Sequence, residues 1–179
     1  GQPAFAYLPQ QTEIDRTFPF SVLDFVQMGC WQHIRWYKRL GLDLQQRAKM
    51  ALERVGLAEL QHRSLSSLSV GQFQRVLFAR LMLQDAPLIL LDEPFNALDA
   101  RTTADLLQLV RQWQAEGRTV LAVLHDYVQV MQHFPRAFLI ARECLAHGPT
   151  SEVLTEANLR RARNHADAWQ EDAPVCARD

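Results

Sequence analysis

A chain of 179 residues, 48% hydrophobic and 22% charged, has the size and make-up of one globular domain, or one domain with a small subdomain. Its net charge of −1 excludes a global field drawing it to nucleic acid or anionic lipid. Three scattered cysteines without a C-x-x-C pair exclude a disulfide framework and a zinc site and fit a reducing cytosol, and no apolar run reaches the length of a membrane span.

In chain order, AFAYLPQ (Ala4 to Gln10) reads as a short strand halted at Pro9. SVLDFVQMG reads as a short helix with Ser21 as N-cap and Gly29 as terminator. In DLQQRAKMALERVGL, Leu44, Ala48, Ala51, Leu52 and Val55 follow helical spacing and Gly56 ends the helix. A further helix begins near Gly71, with Phe73, Val76, Leu77, Phe78 and Leu81 on its apolar face. PLILLDE then reads as a buried strand, apolar on both faces as in a parallel sheet. A long helix, RTTADLLQLVRQWQAEG, leads to the strand TVLAVLHD, then a short helix, the hairpin AFLIARECLAHG and a polar helical tail. Alternating strand and helix signals an α/β sheet with crossover connections.

Ligands of parallel α/β sheets gather at the carboxyl ends of the strands. Three predicted strands end in polar residues: Gln10, then Asp92 with Glu93, then His125 with Asp126. An Asp leaving an apolar strand suits Mg²⁺ held through water. The adjacent Glu points another way and can orient or deprotonate a water, and a His can hydrogen-bond a phosphate. Each residue alone has a plainer reading, as an N-cap, a loop charge or a structural histidine; the ordered combination carries the weight. LSVGQ (Leu68 to Gln72) stands at a helix start, where Ser69 and the backbone N–H groups around Gly71 form an anion site backed by the helix dipole. A simple Ser N-cap before a permissive Gly would leave the following QFQR unexplained.

Together these segments resemble the nucleotide-binding subunit of an ABC transporter. AYLPQ is similar to the Q-loop, LSVGQ to the signature motif, LILLDEP to Walker B, NALD to the D-loop and VLHD to the switch histidine. The resemblance implies a P-loop NTPase-like α/β fold: a parallel sheet core incomplete at the N-terminus, an inserted helical subdomain, and a C-terminal β-hairpin with helices. It divides the chain into residues 1–17 (core strand and Q-loop), 18–67 (helical subdomain) and 68–179 (signature helix, Walker B, D-loop, switch histidine and tail).

The resemblance also assigns roles. Asp92 holds Mg²⁺ through water; Glu93 is the general base or positions the attacking water. Gln10 approaches both Mg²⁺ and water, and His125 contacts the γ-phosphate. Ser69, Gly71 and Gln72 close over the γ-phosphate of ATP bound to a second copy, and Asp99 crosses the dimer interface. The implied partners are a transmembrane permease subunit, docking near Gln10 to Val26, an identical nucleotide-binding subunit and a substrate-binding protein, with no nucleic acid. The implied place is the cytoplasmic face of the cell membrane, held peripherally. EIDRTFPFSVLDFVQMG is similar to the branch importing zinc, manganese or iron chelates.

Two departures stand out. Val70 occupies a signature position that is normally Gly, and its β-branch adds bulk and stiffness beside the anion site. No G-x-x-x-x-G-K-[ST] occurs, and neither Lys38 nor Lys49 follows a glycine. The expectation is a fragment lacking its phosphate loop, one that alone neither binds ATP tightly nor hydrolyses it. Two other classes are a soluble ABC-type ATPase of DNA repair or translation, and a non-catalytic interaction module. Against the first, only 57 residues separate Gln10 from Leu68 and a single signature is present. His33, His62, His133, His147 and His165 show no i, i+4 ligand spacing and read as scattered surface residues, and LRRARNH as a solvated helix end.

Overall fold

Runs of branched and aromatic residues alternate with helical ones in the computed structural model, which describes residues 5–10, 14–33 and 42–172. Ala4, where the first strand is expected to begin, and Cys176 lie outside the described residues. The chain divides into two units, residues 1–123 and 124–179, each described by itself.

In the first unit, β1 (Ala6–Leu8), β2 (Leu88–Asp92) and β3 (Thr119–Val123) form a parallel sheet in that order. The register sets Leu8 opposite Leu91 and Asp92 opposite Val123. Side chains alternate across a strand, so Ala6, Leu8, Ile89 and Leu91 share a buried face. Tyr7, Leu121 and Val123 stand on the other face and are exposed. The expectation that β2 is buried on both faces therefore holds for Ile89 and Leu91, whereas Leu88 and Leu90 are only half-buried. The open face beside them is the physical reason.

The helices follow their apolar spacing. α1 (Val22–Gln27) is capped by Ser21, whose Oγ accepts the Asp24 N–H. α2 (Leu42–Arg54) is followed by Gly56 at φ +70°, in the left-handed region that favours glycine, as expected. α3 (Val70–Gln84) buries Phe73, Val76, Leu77, Phe78 and Leu81. α4 (Ala100–Ala115) buries Leu106, Leu107, Val110 and Trp113. Phe78 stacks on Trp113 with ring centroids 5.7 Å apart, joining the two long helices in one core. α1 and α2 pack on α3.

One expected boundary is corrected. Gly29 does not terminate α1; the chain continues through it as a 3₁₀ helix, Met28–His33. A Cβ on Gly29 would lie 2.5 Å from the carbonyl oxygen of Arg80. The residue is glycine because the backbone of α3 passes too close for any side chain.

The second unit holds α5 (Tyr127–His133), the antiparallel hairpin of β4 (Arg136–Ala141) and β5 (Glu143–Pro149), α6 (Thr150–Val153) and α7 (Glu156–Asp172). Its small core gathers Leu139, Val153 and Ala162. The hairpin and helical tail match the expectation. Among the described residues, no helix is long and apolar enough to cross a membrane.

Candidate functional site

Asp92 is the last residue of β2 and Glu93 the first beyond it, at the carboxyl end of the parallel sheet. Because Leu8 is level with Leu91, Gln10 and Glu93 leave the same sheet end at matching positions. Tyr7 donates its hydroxyl to Asp92 Oδ2 at 3.3 Å, a long bond that leaves oxygen lone pairs on a half-buried carboxylate. A carboxylate of this kind suits Mg²⁺, which keeps several waters and needs few protein ligands. Among the described residues no group of three or more His, Cys, Asp or Glu could hold a metal ion.

Glu93 turns the chain. Its φ of +45° is rare for a residue with a side chain. Its N–H donates to Val123 O (3.1 Å), tying it to β3. Asn96 closes the turn through its N–H to Glu93 O (3.2 Å) and its Nδ2 to Glu93 Oε2 (3.1 Å).

Two helix starts lie beside each other in this unit. Ser69 caps α3: its Oγ accepts the Gln72 N–H (3.2 Å) while Gln72 Oε1 accepts the Ser69 N–H (3.0 Å). This capping box leaves Val70 and Gly71 as the helix-start N–H groups without intrahelical acceptors. A Cβ on Gly71 would meet Thr102 Oγ1 at 3.8 Å and Leu98 Cδ2 at 3.9 Å, so the LSVGQ segment abuts the start of α4. Val70, the first residue of α3, is 43% exposed.

Asp99 caps α4. Its Oδ1 accepts the Thr102 N–H and its Oδ2 the Thr102 hydroxyl, both at 2.8 Å. These bonds hold its carboxyl below the usual carboxylate range. Thr102 Oγ1 in turn accepts from Arg75 Nη2 of α3 (2.9 Å).

Of the residues singled out from sequence, Gln10, Asp92, Glu93, Ser69, Gly71, Gln72 and Asp99 all belong to the first unit. His125 belongs to the second, is exposed and is described apart from them. Its neighbour Asp126 caps α5 by accepting the Val128 and Gln129 N–H groups.

The sequence reading missed the residues that support the site. Arg16 donates to the carbonyls of Leu65 (3.3 Å) and Leu68, with its guanidinium 4.6 Å from the centre of the Phe73 ring. Gln74 is fully buried and donates Nε2 to Pro94 O at 2.7 Å. The unexplained QFQR was the signal for Gln74 and Arg75; Arg16 gave none.

A family model described as ABC transporter matches residues 2–96, more than half of the chain. The chain belongs to the ABC transporter family. It is 37% identical over 150 residues, 84% of its own length, to the manganese transport system ATP-binding protein MntB of Halalkalibacterium halodurans. It is 38% identical over 157 residues, 88% of its length, to the zinc transport system ATP-binding protein TroB of Treponema pallidum. It spans 60% and 59% of these two relatives. An inward-facing metal-chelate type ABC transporter is similar in structure, with a TM-score of 0.82 and 33% identity over 90% of this chain and 64% of that one. A dimeric bacterial ABC transporter cassette has a TM-score of 0.70 at 26% identity over 81% of this chain and 62% of that one. This ABC chain thus shares its fold with cassettes that form dimers.

Proposed function

We propose that this chain is the ATP-hydrolysing part of an ABC importer for a metal ion or metal chelate. The observation that carries the reading is the pair Asp92 and Glu93 at the carboxyl end of β2, with Gln10 leaving the same end of β1. The manganese and zinc systems named for its relatives, and the metal-chelate transporter of similar structure, support that cargo class.

The reaction is MgATP + H₂O → MgADP + phosphate. Catalysis of phosphoryl transfer is chiefly positioning and charge stabilisation. Glu93 holds the attacking water and accepts its proton, Gln10 lies beside that water, and His125 donates to the γ-phosphate. Asp92 would hold Mg²⁺ through water; the bound ion neutralises charge on the phosphate oxygens. Ser69, the Gly71 N–H and Gln72 meet the γ-phosphate of ATP carried by a second copy. The exposed start of α3 and the dimeric cassette of similar fold support this shared site. Asp99 stands at the seam between copies. A permease helix docks between the helical subdomain, residues 18–67, and the core, with the stretch from Gln10 to Val26 as its floor. The subunit then sits peripherally on the cytoplasmic face of the membrane, in a system with a substrate-binding protein. Residues 1–179 carry no phosphate loop, so as an isolated polypeptide they bind ATP weakly and do not turn it over.

Glu93→Gln, made in a full-length cassette assembled with its permease, tests the reading. Turnover should fall at least about 100-fold while ATP binding and ATP-driven dimer closure persist. Hydrolysis at the wild-type rate would sink it.

A further inference from the structure

The proposed role of Glu93 demands a fixed carboxylate, yet Glu93 occupies a backbone region that side-chain-bearing residues avoid, with φ at +45°. The next residue is Pro94, and a residue before proline is itself restricted, with the α region disfavoured. A conformation of this kind persists only where its surroundings over-determine it. On one side the sheet supplies the Val123 carbonyl for the Glu93 N–H (3.1 Å). Asn96 closes the turn, and Phe95 is buried against Phe78, with ring centroids 6.4 Å apart.

Between these lies the Pro94 carbonyl, which accepts Nε2 of Gln74 at 2.7 Å. Gln74 is 1% exposed, set among Phe73, Val76, Leu77 and Phe78 on the buried side of α3. A polar amide at such a position is retained only when hydrogen-bonded. Pro94 itself has no N–H, so its carbonyl is the backbone group through which this residue can be anchored. The bond joins the helix that opens with LSVGQ to the residue directly after Glu93.

We propose that Gln74 is a positioning residue that sets the Glu93 carboxylate through the Pro94 carbonyl. This deepens the ATPase reading and rests on it. The consequence is specific: loss of the amide releases the Pro94 carbonyl, so the turn that begins at Glu93 shifts and moves the carboxylate off the water while the phosphate-binding groups stay in place.

The test uses a full-length cassette with its permease. Gln74→Met keeps length and apolar bulk but removes the donor. It should lower kcat at least tenfold with KM for ATP within twofold of wild type. Combined with Glu93→Gln it should cause no further loss, because both changes remove the same function. Gln74→Glu supplies a second readout. Its buried carboxyl donates to Pro94 O only when protonated, and burial raises the pH of that step. Its kcat relative to wild type should therefore recover as pH falls from 8 to 6. Wild-type kcat in Gln74→Met, losses that multiply in the double variant, or a flat Gln74→Glu ratio would each overturn the proposal. So would unfolding of both variants, which would leave Gln74 a packing role alone. A fully active Glu93→Gln would instead remove the ATPase reading, whatever Gln74→Met does.

Discussion

The starts of α3 and α4 lie side by side and are capped by the same device: a side-chain oxygen accepting an N–H three residues on. They differ in charge and in what remains free. Ser69 is neutral, so its cap adds no negative charge beside the N–H groups of Val70 and Gly71, and the cap does not use its hydroxyl proton. Asp99 carries a negative charge, and Thr102 engages both of its oxygens. That charge already complements the helix dipole and repels a phosphate. Two neighbouring helix ends thus differ in chemistry: under the proposed function the first would receive an anionic ligand, while the second is tied to α3 through Thr102 and Arg75.

The largest effect should come from making the two ends alike. Ser69→Asp keeps a good N-cap but sets a carboxylate where the γ-phosphate is expected. In the full-length cassette, turnover should drop about 100-fold or more, with thermal unfolding near that of wild type. Wild-type ATPase rates in this variant would remove the contrast between the two ends.

A smaller effect separates their supports. Arg16 grips the Leu65 and Leu68 carbonyls just before Ser69, whereas the arginine that reaches the start of α4, Arg75, meets a side-chain hydroxyl, that of Thr102. Arg16→Ala should cost about 1.5–3 kcal/mol, the usual range for hydrogen bonds to a charged group. Amide hydrogen exchange should quicken at Gln72 and Phe73 and stay unchanged at Thr102 and Thr103. Equal acceleration at both ends would show that Arg16 supports the unit generally and not the LSVGQ segment.

Much of this was readable from sequence where the signal is local. Phe73, Val76, Leu77 and Phe78 mark α3 by spacing alone, and LILLD marks β2 because apolar residues halt at a carboxylate. The places of Asp92 and Glu93 at the end of β2 and of Ser69 at the start of α3 were legible because each follows a local pattern, a strand that halts at carboxylates and a helix that opens on a cap. Contacts between distant segments leave no such trace. Arg16 and Leu68 are 52 residues apart, and Gln74 and Pro94 are 20 apart. Gly29 was misread for a related reason: a glycine after a short helix marks a C-cap or a close backbone approach, and only the position of Arg80 decides between them. The cap formed by Asp99 is local, yet the D-loop likeness drew attention to a partner subunit and away from Thr102.

The smallest expected effect sharpens the contrast by titration. The Thr102 N–H and hydroxyl hold the Asp99 carboxyl below its ordinary value, about 3.9 for an unperturbed aspartate. A lowered folded value means that the cap's contribution is fully present above the ordinary value and fades as pH falls through the lowered one. Ser69 does not titrate in this range, so its cap has no such dependence. Urea unfolding between pH 6 and pH 2.5 should show the stability gap between wild type and Asp99→Ala narrowing with acid. The gap between wild type and Ser69→Ala should hold constant over the same range. If both gaps narrow together, the acid response belongs to the whole unit, and charge is not what distinguishes the two helix starts.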